Sequence, residues 1–200
     1  MRIIGVTGGI ASGKSLIEQC FIEHGIPVID ADVVAREVVH PGGEAYDALY
    51  AAFGPAFFHA DGTLDRAKLR EHVFSDPAAL ENLNGITHPA IARRIAEQLA
   101  TMDTNIIALI APLLVETGLN ALCDTVWLIT CDAETRIDRL TRRDGISRET
   151  ALAIISAQLT DCEKAYKSDI IIDNSGEAAR TTELVNQMIC EEIHLGKPEK

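Results

Sequence analysis

Ile3-Ile4-Gly5-Val6-Thr7-Gly8-Gly9-Ile10-Ala11-Ser12-Gly13-Lys14-Ser15 decides the fold: an apolar run leads into G-x-x-x-x-G-K-[ST] with every fixed position satisfied. Glycines let the backbone curl so that successive N–H groups point into a concavity, and the helix that follows adds the positive end of its dipole there. Polyphosphate is the natural guest. Lys14 is placed to track the β- and γ-phosphates as a mobile point charge, and the Ser15 hydroxyl to take one site on Mg²⁺. The alternative is a glycine-rich turn that fits by chance. Context argues against it, since Ile3–Val6 reads as a strand and Ser15–Glu23 as a helix.

Outward from this loop the chain alternates short apolar runs with helical patterns, which predicts an α/β fold on a parallel sheet. Strands are expected at Arg2–Thr7, Pro27–Asp30, Asn105–Ala111, Thr125–Thr130 and Asp169–Asp173. Most are near-continuous Ile, Val and Leu, as in strands covered on both faces. Residues 33–103 contain no convincing strand and read as a helical insertion. Within it Asp76-Pro77 marks a helix start, while Pro41-Gly42-Gly43, Gly54-Pro55 and Asp61-Gly62 mark turns. The last five residues, Gly196–Lys200, are expected to fray.

Composition sets the class. The 200 residues are 47% hydrophobic, enough for one good core. The longest apolar stretch, Ile106–Val115, is too short to span a bilayer, and no leader-like segment precedes the loop, so a cytoplasmic protein without a membrane partner is expected. The five cysteines are scattered without a C-x-x-C pair, which argues for free thiols rather than disulfides or zinc. A net charge of −12 argues against a nucleic-acid partner. Yet five of the twelve arginines (Arg136, Arg139, Arg142, Arg143 and Arg148) fall within thirteen residues, a cationic patch suited to a small phosphorylated ligand.

Two further groups are candidates for chemistry. Asp30-Ala31-Asp32 ends the second expected strand, where ligands of open α/β sheets gather, so a carboxylate there is expected to face the transferable phosphate. Asp32 could accept a proton from an attacking hydroxyl or hold Mg²⁺ through water, or it could simply cap the helix that begins at Val33. Asp30 is the weaker catalytic candidate. Starting from Asp132 as N-cap, the next helix carries Arg136, Arg139 and Arg143 within an arc of about 60°. Three guanidinium groups on one face suit a phosphoryl group in transit; the alternative is a solvated face paired with Glu134, Asp138 and Asp144.

Together these motifs resemble one family, the dephospho-coenzyme A kinases. The resemblance rests on TGGIASGKS at 7–15, VIDAD at 28–32, DGTLDRAKL at 61–69, VFSDP at 73–77, LNGITHPAI at 83–91, PLLVE at 112–116, RLTRRDG at 139–145 and DNSG at 173–176. It implies a P-loop NTPase fold comprising a nucleotide-binding core (residues 1–32, 104–131 and 165–200), a dephospho-CoA-binding helical region (33–103) and a helical lid (132–164). It also implies transfer of the ATP γ-phosphoryl group to the ribose 3′-hydroxyl of dephospho-coenzyme A, with Mg²⁺ as metal.

Carried over by position, the resemblance makes Asp32, Lys14 and Arg139 the catalytic set, with Asp32 as base. ATP is assigned to Gly8, Gly9, Ala11, Ser12, Gly13, Lys14, Ser15 and Leu16 of the loop, with Arg143 of the lid and with Asn174 beside the adenine; Ser15 is the magnesium ligand. Asp32, His88, Leu113 and Glu116 are assigned to the acceptor, although His88 before Pro89 also fits a plain helix cap. Three residues depart from the family pattern. Leu16 replaces a hydroxyl residue, leaving only its backbone N–H for the α-phosphate. Ile154 stands where arginine precedes I-x-x-Q, with Arg148 or Lys164 as candidates to compensate, and Val115 replaces phenylalanine. A nucleoside monophosphate kinase would share the loop and lid. A GTP switch would need N-K-x-D, which is missing, and the D-x-x-G at 173–176 comes too late in the chain. A monomer or small homo-oligomer is expected.

Overall fold

The computed structural model describes residues 1–195; the tail expected to fray lies outside the described residues. Five strands, β1 (Arg2–Thr7), β2 (Val28–Asp30), β3 (Ile106–Ile110), β4 (Thr125–Thr130) and β5 (Ile170–Asp173), form one sheet in the order β2-β3-β1-β4-β5. β1 runs parallel to both β3 and β4, and β4 runs parallel to β5. The expected strands are therefore present, some trimmed by a residue at an end.

Two compact units divide the chain, one comprising residues 1–29 and 103–200 and the other residues 30–102. In the first, α1 (Lys14–Glu23) and α9 (Ala178–Leu195) contact each other, and one apolar cluster joins them to the sheet. Ile17, Cys20 and Phe21 from α1 and Val185 and Ile189 from α9 meet Ile4, Val6, Ile106, Ala108, Ile110, Trp127 and Ile129 there. Trp127 is fully buried, its ring 5.4 Å from that of Phe21. The intervening residues Ile107, Leu109 and Leu128 are also fully buried, which explains why these strands carry no polar alternation. Gly5 is required in β1 because a Cβ there would lie 2.6 Å from Cys123 Sγ and 2.8 Å from Leu114. Burial pushes the Cys123 thiol up to about 12, and all five cysteines are free. The same unit contains α6 (Ala133–Asp144), α7 (Arg148–Ser156) and α8 (Asp161–Ala165), the segment expected as a lid.

The second unit is helical, as the absence of strand signals predicts: α2 (Ala31–Glu37), α3 (Tyr46–Phe53), α4 (Arg66–Ser75) and α5 (Pro77–Thr101), with one isolated bridge between Phe58 and Leu64. Helices α2, α3 and α4 all contact α5. Helix α5 begins where the sequence indicated: Asp76 is its N-cap, accepting from the amides of Ala78 (2.9 Å) and Ala79 (3.2 Å), and Pro77 occupies the first turn. It then runs on through Pro89.

Because this cap starts the helix that the rest of the unit packs on, Asp76→Ala should lower the unfolding free energy by about 1 kcal/mol. Asp76→Ser should leave it nearly unchanged, as read by urea denaturation.

Candidate active site

In the loop between β1 and α1 the carbonyls are held by side-chain donors: Lys14 Nζ donates to the carbonyls of Gly8 (2.8 Å) and Gly9 (3.0 Å), and Arg136 Nε to that of Ile10 (3.0 Å). Arg139 Nη1 reaches the carbonyls of Ala11 (3.2 Å) and Ser12 (3.3 Å), and Asn174 Nδ2 also donates to Ser12 (2.8 Å). Across a trans peptide, a carbonyl held on one side turns the following N–H to the other, which directs the Ala11 and Gly13 amides to the concave side, while those of Ile10 and Ser12 go to Gln158 (2.7 Å) and the Gly9 carbonyl (3.2 Å). The N-terminus of α1 adds the positive end of its dipole to that concavity. This is an anion cradle made of backbone dipoles.

Its sequence follows from the backbone it must adopt. Gly8 (φ 155°) and Gly13 (φ 102°) lie where a side chain is strained, and Ala11 (φ 60°) tolerates the left-handed region as the smallest residue with a Cβ. A Cβ on Gly9 would collide with the Arg136 guanidinium, and one on Gly13 with the Asn174 amide. Ser12 is buried, Ser15 is exposed on the first turn of α1, and the Leu16 amide, expected to remain for phosphate, donates to the Gly13 carbonyl at 3.0 Å. That bond is the opening i→i−3 turn of the helix.

The three arginines expected on one face of α6 separate by axial position. Asp132 caps the helix as expected, accepting from Thr135 N at 2.8 Å. Arg136 and Arg139 lie against the loop. Arg143, about 10 Å further along the axis than Arg136 at 1.5 Å per residue, pairs instead with Asp144 at 2.7 and 2.8 Å. Arg136 is 8% exposed, and its Nη1 lies 3.8 Å from Asp161. Asn174 is buried at the end of β5; its backbone carbonyl accepts from Arg139 Nη2 (3.0 Å) while its side chain holds Ser12.

From sequence, residues 158–164 belong only to the expected lid, with Gln158 closing the I-x-x-Q pattern and Lys164 a candidate to compensate for Ile154. They tie the site together. Gln158 Oε1 accepts from Ile10 N at 2.7 Å, Asp161 approaches Arg136, and Lys164, fully buried, donates to the Pro112 carbonyl (2.7 Å) and pairs with Glu116 (2.9 Å). The Pro112 carbonyl also accepts from Thr7 Oγ1 (3.3 Å), at the end of β1. Glu116 is thus fixed by an ion pair, and Leu113 beside it is 43% exposed. Lys164 is committed to this network and Arg148 to a bidentate pair with Glu134 (2.7 and 2.6 Å), so each already has a partner other than the Ile154 position.

In the helical unit the capping reading of Asp32 is corrected. The N-cap of α2 is Asp30, whose Oδ1 accepts from Asp32 N at 2.8 Å; Asp32 is one residue inside the helix and exposed. The helix starts two residues earlier than its apolar pattern because Ala31 and Asp32 both fit a first turn. The capping reading of His88 is also corrected, since His88 lies mid-way along α5. Burial pushes its imidazolium below the usual value.

Comparison with known proteins supplies the family. The dephospho-CoA kinase family model matches residues 2–180. The chain belongs to the dephospho-CoA kinase family. A dephospho-CoA kinase of Aeromonas hydrophila is 46% identical over 181 residues, spanning 90% of this chain and 89% of that one. The dephospho-CoA kinase structure from Campylobacter jejuni superposes with a TM-score of 0.72 at 29% identity, covering 96% of this chain and 98% of the other. TT1252 from Thermus thermophilus gives 0.84 at 32% identity, with 96% and 97% covered. Membership of this kinase family makes the chain an ATP-dependent phosphotransferase on a P-loop α/β fold. No helix among the described residues is long and apolar enough to cross a membrane.

The depressed His88 value fixes a pH dependence. The unfolded chain takes up the proton first as pH falls through about 6.5, so stability that is full above that pH is lost below it. Melting temperature should fall between pH 7.5 and 5.5, and His88→Gln should flatten that slope.

Proposed function

We propose that this enzyme transfers the ATP γ-phosphoryl group to the ribose 3′-hydroxyl of dephospho-coenzyme A, giving coenzyme A and ADP, with Mg²⁺ as its metal and the cytoplasm as its location. The observation that carries the phosphate half is the loop itself, whose carbonyls from Gly8 to Ser12 are held by Lys14, Arg136, Arg139 and Asn174 at the N-terminus of α1. Membership of the family supports the acceptor.

In this reading the amides of the loop and α1 hold the polyphosphate, and Lys14 exchanges its carbonyl partners for the β- and γ-oxygens. Arg139 contributes positive charge from behind the loop. Asn174, buried against Ser12, acts on the nucleotide through the loop, whereas Leu113, Glu116 and His88 serve the acceptor and Arg143 the closed lid. Asp32 takes the proton of the 3′-hydroxyl as its oxygen bonds to the γ-phosphorus and the bond to the β–γ bridging oxygen breaks, releasing ADP.

The residues present fit magnesium. Among the described residues no three His, Cys, Asp or Glu side chains cluster as a metal cage. Mg²⁺ does not need one, since it commonly takes one or two protein oxygens together with substrate phosphates and water. The exposed Ser15 hydroxyl on the first turn of α1 is a hard oxygen donor of that kind. When bound, the ion would neutralise charge on the β- and γ-oxygens.

Purified protein with ATP and Mg²⁺ should release ADP in a coupled assay with dephospho-coenzyme A and not with AMP, CMP or shikimate. Failure on dephospho-coenzyme A would refute the assignment. Asp32→Asn should lower kcat by about 10²–10⁴-fold while the melting temperature holds, because Asp30 carries the cap. An unchanged kcat would remove Asp32 from the chemistry.

A further inference from the structure

Ile10, at the outer bend of the phosphate-binding loop, is the one loop residue gripped at both of its polar backbone groups by side chains from the segment following β4. Its N–H donates to Gln158 Oε1 at 2.7 Å and its carbonyl accepts from Arg136 Nε at 3.0 Å. Its side chain and that of Ala11 pack on the small apolar cluster of Ile137, Leu140 and Ala151, between α6 and α7. Arg136 is in turn flanked by Asp161, three residues beyond Gln158.

We propose that Gln158 and Arg136 are positioning residues for ATP: they clamp Ile10 so that the loop stands in its phosphate-receiving shape before nucleotide arrives. The proposal rests on the kinase reading for its ligand, and neither residue touches the reacting atoms. Gly9 lets the clamp approach, since the Arg136 guanidinium occupies the space that a Cβ there would need. Gln158 also borders a cavity of about 400 Å³ shared with Arg136 and Asp161. Close packing therefore does not hold the Gln158 amide on that side, and its hydrogen bond to Ile10 does. A loop released from this bond samples other conformations, and apparent affinity falls with the fraction still competent.

The test measures ATP affinity by calorimetry without acceptor, kcat at saturating ATP, and amide hydrogen exchange at Ile10. Gln158→Met removes the acceptor and should weaken ATP binding about tenfold. Ile10 exchange should accelerate by about the same factor. Dephospho-coenzyme A affinity and kcat should stay near those of the wild type, and the melting temperature should move by only a few degrees. Gln158→Glu keeps an acceptor oxygen at the same reach and should restore most of the affinity. Gln158→Asn, one methylene shorter, should behave like the methionine variant and replaces it if that protein fails to fold. ATP affinity in the methionine and asparagine variants equal to wild type would overturn the proposal. So would a glutamate variant as weak as the others, since packing rather than the acceptor would then be responsible. Because binding is read without acceptor, a wild-type enzyme inert toward dephospho-coenzyme A would refute the function and leave the clamp to be judged on ATP binding alone.

Discussion

Loop carbonyls that need donors are the constraint on which the rest of this structure depends. A run of loop carbonyls outside any helix or sheet ladder is an unfavourable arrangement unless each oxygen finds another donor. Here the donors are charged or buried: Lys14 folded over the loop, Arg136 and Arg139 from α6, and Asn174 from the end of β5. Charge-assisted bonds of this kind are stronger than neutral ones. They also place positive charge behind a site meant for anions. The same arginines therefore stabilise an awkward backbone and raise its affinity for phosphate.

The sheet supplies the rigidity this requires. β1, carrying the loop at its end, is hydrogen-bonded to β3 on one side and β4 on the other, and its inner residues Ile4 and Val6 are fully buried. Thr7 and Lys164 share the Pro112 carbonyl, so the end of β1 and the segment after β3 are fixed by one buried polar network. Removing one member of a buried ion pair strands its partner, which makes Lys164–Glu116 a point of high structural consequence beside residues assigned to the acceptor. The loop is thus anchored from behind by α6 and β5 and at its base by the sheet.

Much of this was legible in the sequence, for physical reasons. Strands covered on both faces leave an unbroken apolar signature, and Asp76-Pro77 and Asp132 are local cap chemistry, readable from neighbours alone. What was not legible depends on contacts across the chain. Gln158 meets Ile10 over 148 residues and Arg136 over 126, and nothing local marks either as a loop contact. The arc containing Arg136, Arg139 and Arg143 was readable as an angle, but the loop's extent along the helix axis selects only the first two. Asp30 and Asp32 both suit a helix start, and only the backbone distinguishes them. His88 before proline suggested a boundary, yet α5 absorbs Pro89 within its length. Arg143 pairs with Asp144, one of the acidic partners that the alternative reading of this face named.

Whether side-chain donors shape the loop in advance of nucleotide can be read from a crystal structure with a non-hydrolysable ATP analogue compared with one of the empty enzyme. The Cα atoms of residues 8–15 should superpose within about 1 Å, as in other pre-organised sites. Arg136 and Asn174 should still hold the Ile10 and Ser12 carbonyls, with only Lys14 changing partners. A loop that reorganises on binding, with either of those two side chains released, would contradict that shaping.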